Sequence, residues 1–228
     1  MARTQAPDYD DRRQAIADRA AELYARMGFH RASISDLAEA CGTSKSALYH
    51  YYSSKEAILY DILHDHTRLL LETAQGVAMT GGEASERLRR LAESFMKIYV
   101  SSTAKHVVLL NEIASLPEEQ RRQVIALQNE VVDIFLSLLV EIRPELQDRP
   151  DLRKPVAMMF MGALNWTYTW FRQSGSVTPD QFANMVVDLF VAGLPAMPLP
   201  EAGSQTAARS ATSSAPAHST TAHSKASA

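Results

Sequence analysis

Apolar residues recur every three or four positions along most of the chain, which is the spacing of amphipathic α-helices. One such stripe runs through residues 10–27 and is followed by Gly28, a residue that commonly stops a helix. No run of alternating apolar and polar residues is bounded by turn signals, so no strand is expected. The pattern predicts an all-α protein with further helices over residues 34–40, 45–51, 54–78, 84–101, 104–114, 118–143, 152–173 and 179–193.

Short polar side chains stand just before several of these helices, where they can accept hydrogen bonds from unpaired backbone N–H groups. Two of the pairs have the three-residue spacing of a capping box, in which each side chain bonds to the backbone of the other residue. The predicted caps are Ser33, then Thr43 or Ser44, then Ser53 with Glu56, and finally Thr178 with Gln181.

The segment SISDLAEACGTSKSALYHYYSSKEAIL, residues 33–59, contains two short helices joined by a tight turn. Gly42 lies where that turn requires a residue tolerant of positive φ. In the second helix Leu48 and Tyr52 are predicted to point inward, which leaves the other side chains for a different surface. This arrangement describes a helix-turn-helix, whose second helix enters the major groove of DNA. Lys45 and Lys55 bracket that helix and could neutralise phosphates on either side.

This segment resembles the DNA-binding domain of the TetR/AcrR family of transcriptional regulators over about residues 12–60. It departs from the family pattern at Cys41, Thr43 and Ser46, where the family has Ala, Val and Gly. Each replacement keeps a small or medium side chain. The positions that carry the resemblance are Ser33, Ile34, Leu37, Ala38, Gly42, Ser44, Tyr49, Tyr51, Tyr52, Lys55 and Glu56.

The resemblance implies an N-terminal three-helix domain that binds DNA and a C-terminal helical domain that dimerises and holds a ligand. Such a protein would be a repressor that binds palindromic operator DNA as a homodimer and is released by a small molecule. Tyr49, Tyr51 and Lys55 would contact the DNA backbone, and residues 45–47 the bases. The full set of expected DNA contacts is Ser33, Thr43, Ser44, Lys45, Ser46, Ala47, Tyr49, His50, Tyr51 and Lys55.

The predicted helix at 152–173 is apolar on all its faces, which is typical of a helix buried on all sides. It could be a central core helix of a monomer, or it could pack on its own domain and on a partner subunit. The family resemblance favours the dimer. The helix at 179–193 offers a matching apolar stripe, so the two helices from each subunit would form a four-helix interface.

Asn165 lies inside that apolar helix, and a buried amide requires a hydrogen-bond partner. The partner could be a neighbouring core residue or a polar group of a ligand, and the sequence leaves both open. Residues 105–185 are similar to a PaaR-like subgroup of the family, whose effectors tend to be acyl-coenzyme A thioesters. For such an effector the expected contacts are Tyr99, Phe135, Met161, Asn165 and Trp166, with Arg172 near the phosphates.

Composition agrees with this interpretation and adds few constraints. The net charge is −3, although residues 1–55 hold eight Lys or Arg against seven Asp or Glu. A single cysteine excludes an internal disulfide framework, and no membrane span or signal peptide is evident. We therefore expect a cytoplasmic protein without a cofactor, divided into residues 1–55, residues 56–195 and a disordered tail rich in Ala, Ser and Thr at 196–228.

No catalytic or phosphate-binding motif is present, so enzyme activity is not expected. His64 and His66 stand two apart on a predicted helix, cannot share one metal ion, and are expected on a solvated face. Two alternatives to the repressor remain: an activator that requires its ligand, and a helical interaction module that does not bind DNA.

Overall fold

All regular structure is helical in the computed structural model, which describes residues 7–199. The all-α prediction is confirmed. Short 3₁₀ segments occur at Ile113–Ser115, Pro144–Asp148 and Trp166–Thr169. The α-helices are α1 (Pro7–Met27), α2 (Ile34–Ala40), α3 (Lys45–Tyr51), α4 (Lys55–Ala78), α5 (Ala84–Ser101), α6 (Thr103–Glu112), α7 (Glu118–Ile142), α8 (Pro150–Asn165) and α9 (Pro179–Gly193).

Helices α2 and α3 begin and end where the local signals predicted. Ser33 caps α2 in a reciprocal bond pair with Asp36, and Gly42 adopts a φ of +59° in the turn. Ser44, and not Thr43, caps α3, because its Oγ accepts a hydrogen bond from the backbone N–H of Ala47 at 3.1 Å. The helix-turn-helix is thus held by short-range bonds that the sequence already contains.

Two predicted helix ends are corrected by the structure. Helix α4 is capped by Ser54, whose Oγ accepts from the Ala57 N–H, and not by Ser53. Helix α8 ends at Asn165, eight residues earlier than predicted, and continues as a 3₁₀ turn. There the hydroxyls of Thr167 and Thr169 each donate to the carbonyl three residues earlier, which competes with regular helical bonding.

The core of the C-terminal half is built from aromatic rings on four helices. Phe95 on α5 meets Phe135 on α7 edge to face at 5.1 Å between centroids, and Phe135 also packs against Phe160 on α8 at 5.5 Å. Phe190 on α9 completes the row. Phe95, Phe135 and Phe160 have no solvent exposure, so this row fixes how α5, α7, α8 and α9 pack together.

In the single chain helix α8 is not buried on all sides, so it is not a central core helix of a monomer; burial of its outer face on a partner subunit stays a prediction. Its apolar residues Phe160 and Leu164 are buried, while other large apolar side chains on α8, on α9 and between them face outward. We call this set the α8–α9 apolar surface: Met159, Trp166, Trp170, Met185 and Leu189. The buried face therefore packs within the chain, and the outward face is left for another contact.

Residues up to 195 form one unit, in which α1 packs against α4 and α6. Disorder was expected for residues 196–228, and from residue 200 onward these lie outside the described range. Within the described range no helix is long and apolar enough to cross a membrane.

Candidate functional site

The outer face of α3 is an open polar surface. Lys45, Ser46, Tyr49 and His50 are all exposed, and Tyr49 shows 54% of its surface. Leu48 on the opposite face is buried, as predicted, and holds the helix against its neighbours. Ser33 and Thr43 are also exposed, at the starts of α2 and of the turn before α3. These side chains lie outside the core and are accessible to a partner as large as double-stranded DNA.

The other predicted contacts on α3 are partly engaged within the protein. The Ser44 hydroxyl accepts the bond that caps α3, and Ala47 is half-buried. Tyr51 packs against the ring of Tyr9 on α1 at 4.8 Å, and Tyr9 also meets the edge of His50. Tyr9 was not among the predicted contacts, because a single aromatic residue in an acidic segment gives no helical signal.

Lys55, at the start of α4, has a structural role that the sequence did not indicate. Its ammonium donates to the backbone carbonyls of Phe29 at 2.8 Å and Ala32 at 3.0 Å, and lies 4.2 Å from the centre of the Phe29 ring. These carbonyls belong to the turn between α1 and α2. The phosphate contact predicted for Lys55 remains a prediction. The position of the Lys55 ammonium is explained by its bonds to the two carbonyls.

Replacing Lys55 with methionine should lower the stability of the protein by about 1–3 kcal/mol, because two partly buried carbonyls lose their donor. Lys45→Met is the matched control: Lys45 is exposed, so the same substitution should leave stability nearly unchanged. Urea unfolding followed by circular dichroism would measure both. Equal stabilities of the two variants would show that the Lys55 bonds contribute little.

A second tie joins α4 to the helix-turn-helix. Asp61 on α4 accepts hydrogen bonds from the Arg13 guanidinium at 2.7 Å and from the Tyr52 hydroxyl at 2.6 Å. Burial and the neighbouring Asp61 carboxylate raise the pKa of Tyr52, so its hydroxyl remains a donor at neutral pH. The end of α3 is therefore fixed to both α1 and α4.

An open groove of about 200 Å³ lies between α1 and the helix-turn-helix. Arg12 and Arg19 from α1 line it, opposite Thr43 and Ala47. Cys41 also lines it, and burial raises the pKa of its thiol, which disfavours the reactive thiolate. The two arginines add positive charge beside the α3 surface and were not among the predicted contacts.

A cavity of about 270 Å³ lies among α4, α5, α6, α7 and α8. Its inner wall is formed by the buried residues Phe95, Tyr99 and His106. Its mouth is marked by the exposed side chains of Asn129 and Lys154. The cavity is thus apolar over most of its wall, with a few polar groups inside and a cation at the entrance.

Tyr99, Met161 and Asn165 line this cavity, so the structure brings three of the predicted effector contacts together. The other three do not line it. Phe135 lies in the aromatic core, Trp166 is 62% exposed on the α8–α9 apolar surface, and Arg172 is exposed in the segment after the 3₁₀ turn. The exposed cation that lines the cavity is Lys154, near the start of α8, and not Arg172, which follows the end of that helix.

A network of polar and aromatic contacts crosses the inner end of the cavity. The Tyr99 hydroxyl donates to Oδ1 of Asn165 at 2.8 Å, and the Tyr99 ring stacks on His106 at 3.6 Å. His106 Nδ1 in turn lies 3.4 Å from Nε2 of His66 on α4. His66 is buried and does not lie on a solvated face, which corrects the prediction: the helix turns this position toward α6.

Burial lowers the pKa of both imidazoles in this pair. The pKa of His66 falls to about 4, with the Lys105 charge as a second cause, and that of His106 falls to about 3, with His66 as the second cause. Both rings are therefore neutral at neutral pH. Burial raises the pKa of the Tyr99 hydroxyl, so it remains a hydrogen-bond donor to Asn165.

Helix α6 connects the cavity to the helix-turn-helix domain. It contributes His106 to the cavity wall, while the neighbouring Lys105 pairs with Asp18 on α1 at 2.6 Å. At its other end Oε1 of Glu112 accepts the N–H of Phe29 at 3.0 Å, just after α1. A displacement of α6 at the cavity would therefore act directly on α1.

Comparison with known proteins identifies both halves of the chain. Residues 16–62 match the family model described as bacterial regulatory proteins, tetR family. Residues 81–194 match the model described as tetracyclin repressor-like, C-terminal domain. A TetR-family transcriptional regulator from Bordetella parapertussis 12822 has a similar crystal structure, with 40% sequence identity, a TM-score of 0.78, and coverage of 82% of this chain and 98% of that one.

Two further relatives are informative about ligands and regulation. AibR has been solved as a crystal structure in complex with isovaleryl coenzyme A and operator DNA. Its sequence is 27% identical, the TM-score is 0.69, and the match covers 78% of this chain and 97% of that chain. The transcriptional repressor KstR2 of Rhodococcus jostii is 25% identical over 80% of this chain and 91% of its own length. With both domain models matched in order, the chain belongs to the TetR family of transcriptional regulators.

Proposed function

We propose that this protein is a repressor that binds palindromic operator DNA as a homodimer and is released by an acyl-coenzyme A thioester. The observation that carries the proposal is the placement of α6, which forms part of the cavity wall and also bonds to α1. One helix thus links a small-molecule site to a DNA-binding motif. KstR2, named as a repressor, supports repression, and AibR, solved in complex with isovaleryl coenzyme A and operator DNA, supports a thioester and DNA as partners.

The DNA-binding half of the proposal is supported by the exposure of α3. Lys45, Ser46 and Tyr49 can enter a major groove, while Arg12 and Arg19 can neutralise phosphates beside it. A two-fold dimer presents two such helices, so its operator should have two-fold symmetry. The α8–α9 apolar surface is the proposed dimer contact, because exposed apolar patches of this kind mark interfaces.

The size and lining of the cavity support a thioester effector. A volume of about 270 Å³ lies just below the range of about 300–1,000 Å³ that is usual for ligand pockets, which suits an acyl group but not a whole coenzyme A. The pantetheine arm and the nucleotide would remain outside and leave the cavity past Lys154, the exposed cation at its mouth. The acyl group would fill the apolar interior, with the polar groups of its wall giving specificity.

Release follows if the thioester binds best to a form in which α6 has shifted. Such a ligand moves the population toward the form that binds DNA poorly, and DNA must weaken thioester binding by the same factor. DNase footprinting of the DNA upstream of the gene, with and without a series of acyl-coenzyme A thioesters, tests this. We expect a symmetric footprint that the right thioester removes.

Two other footprinting results would contradict the proposal. A footprint that forms only in the presence of a thioester would indicate a ligand-requiring activator. The absence of any footprint, with the folded dimer present, would favour a helical interaction module that does not bind DNA.

Glu112→Ala should uncouple the cavity from the DNA-binding domain, because it removes the acceptor for the Phe29 N–H. We expect the thioester to weaken operator binding at least fivefold less in this variant than in the unmodified protein. Thioester affinity in the absence of DNA should change less than about twofold. Fluorescence anisotropy of labelled operator would measure the first quantity and calorimetry the second, with the exposed Glu130→Ala as the control.

A further inference from the structure

The inner end of the cavity is polar, although a plain hydrocarbon acyl group would require an apolar one. We propose that the effector carries a hydrogen-bonding oxygen at the far end of its acyl group, and that Asn165 and His106 recognise this oxygen. The proposal rests on the proposed thioester effector and narrows it to oxygenated acyl groups, such as those with a hydroxyl or a ketone remote from the thioester.

His106 provides the first observation. It is 2% exposed and forms part of the cavity wall, and its Nε2 atom has no hydrogen-bond partner within the described residues. Its Nδ1 atom is already turned toward His66, and the Tyr99 ring covers one face. A buried polar atom without a partner is unfavourable, so a ligand oxygen placed there would gain a bond that the empty protein lacks.

Asn165 provides the second observation, from a different helix. Its Oδ1 atom accepts the Tyr99 hydroxyl, which leaves Nδ2 available as a donor, and the residue lines the cavity. No partner for Nδ2 is found within the described part of the chain. Tyr99 therefore acts as a positioning residue, since it holds Asn165 by a hydrogen bond and His106 by stacking.

The third observation is where these groups stand relative to the mouth. Lys154 and Asn165 are eleven residues apart on α8, which corresponds to about 16 Å along the helix axis. A thioester that enters past Lys154 with its acyl group first therefore brings the far end of that group toward Asn165. The polar groups meet the distal end of the acyl group and not the solvent-facing part of the ligand.

Matched ligand pairs test the proposal. The first pair is octanoyl-coenzyme A and 7-oxooctanoyl-coenzyme A, which differ by one distal oxygen. The second pair is toluene and 4-methylphenol, small probes that test the cavity without coenzyme A. Calorimetry should show the oxygenated member of each pair binding about tenfold more tightly, since the bond satisfies groups that are otherwise unpaired.

Variants assign the preference to residues. Asn165→Leu and His106→Phe, which retains an aromatic ring to stack on Tyr99, should each reduce the preference to less than about threefold, with the plain member binding as well as before. Asn129→Leu is the matched control: the same amide is removed at the exposed mouth, and the preference should stay. Tyr99→Phe should give an intermediate preference, since Asn165 stays in place but its amide loses the hydrogen bond from the Tyr99 hydroxyl. Circular dichroism confirms that each variant is folded.

The outcomes separate this inference from the proposed function. If thioesters bind but both members of each pair bind equally, the inference is overturned and the thioester effector stands. If thioesters do not bind but 4-methylphenol is preferred over toluene, the polar recognition stands and the thioester effector is wrong. Binding of neither pair would overturn both.

Discussion

Leu189→Glu is expected to convert the protein to monomers and to abolish operator binding. Leu189 is 74% exposed on α9, within the α8–α9 apolar surface. In a two-fold interface one substitution places a carboxylate on both sides, and burying an unpaired charge costs several kcal/mol. The dimer dissociation constant should therefore rise at least about a hundredfold. Sedimentation velocity measures the assembly, and an electrophoretic shift with operator DNA measures binding.

Met79→Glu is the control for this prediction. Met79 is 81% exposed at the end of α4, outside the α8–α9 apolar surface, so the same charge should leave the dimer intact. A Leu189→Glu protein that remains dimeric would show that another surface forms the interface. A monomeric variant with unchanged operator affinity would show that dimerisation is not required for DNA binding.

Acid should destabilise the protein through the buried imidazole pair well above the pH at which most carboxylates titrate. The pKa values of His66 and His106 are lowered to about 4 and about 3 in the folded protein, while an unfolded histidine has a pKa of about 6.5. Below pH 6.5 the unfolded chain binds protons that the folded chain excludes. Their contribution to stability is therefore complete above pH 6.5 and is lost as the pH falls toward 4 and 3.

Between pH 6 and pH 5 the two imidazoles should together remove roughly 2 kcal/mol of unfolding free energy. Urea unfolding at a fixed protein concentration, at both pH values, measures this loss. The double variant His66→Leu with His106→Phe should lose much less over the same interval. The control is His64→Leu, since His64 is partly exposed on the same helix and should leave the loss unchanged. A steep loss that persists in the double variant would assign it to other groups.

Local signals were enough to predict the helix-turn-helix. Ser33, Gly42 and the spacing of apolar residues in α2 and α3 act over three or four positions, so the sequence contains all that fixes these elements. The same holds for the capping box of Thr178 and Gln181, which opens α9 as predicted. The exposed face of α3 follows once Leu48 is placed in the core.

The features that sequence analysis missed depend on contacts between distant segments. The pairing of His66 with His106 joins positions 40 residues apart, and nothing in the helical pattern of α4 marks His66 as buried. Lys154 could not be chosen over Arg172 without knowing which end of α8 opens at the mouth of the cavity. Tyr99, Met161 and Asn165 line one cavity, and their role as effector contacts stays a prediction.

The ties between α4 and the helix-turn-helix also determine where this regulator can be cut and rejoined. Through Lys55 and Asp61, the first two turns of α4 bond to the α1–α2 turn, to Arg13 and to Tyr52. The boundary predicted at residues 55 and 56 falls inside this set of bonds. A chimeric sensor that transplants the DNA-reading half onto another effector domain should therefore retain α4 at least through Asp61, the last residue of these bonds.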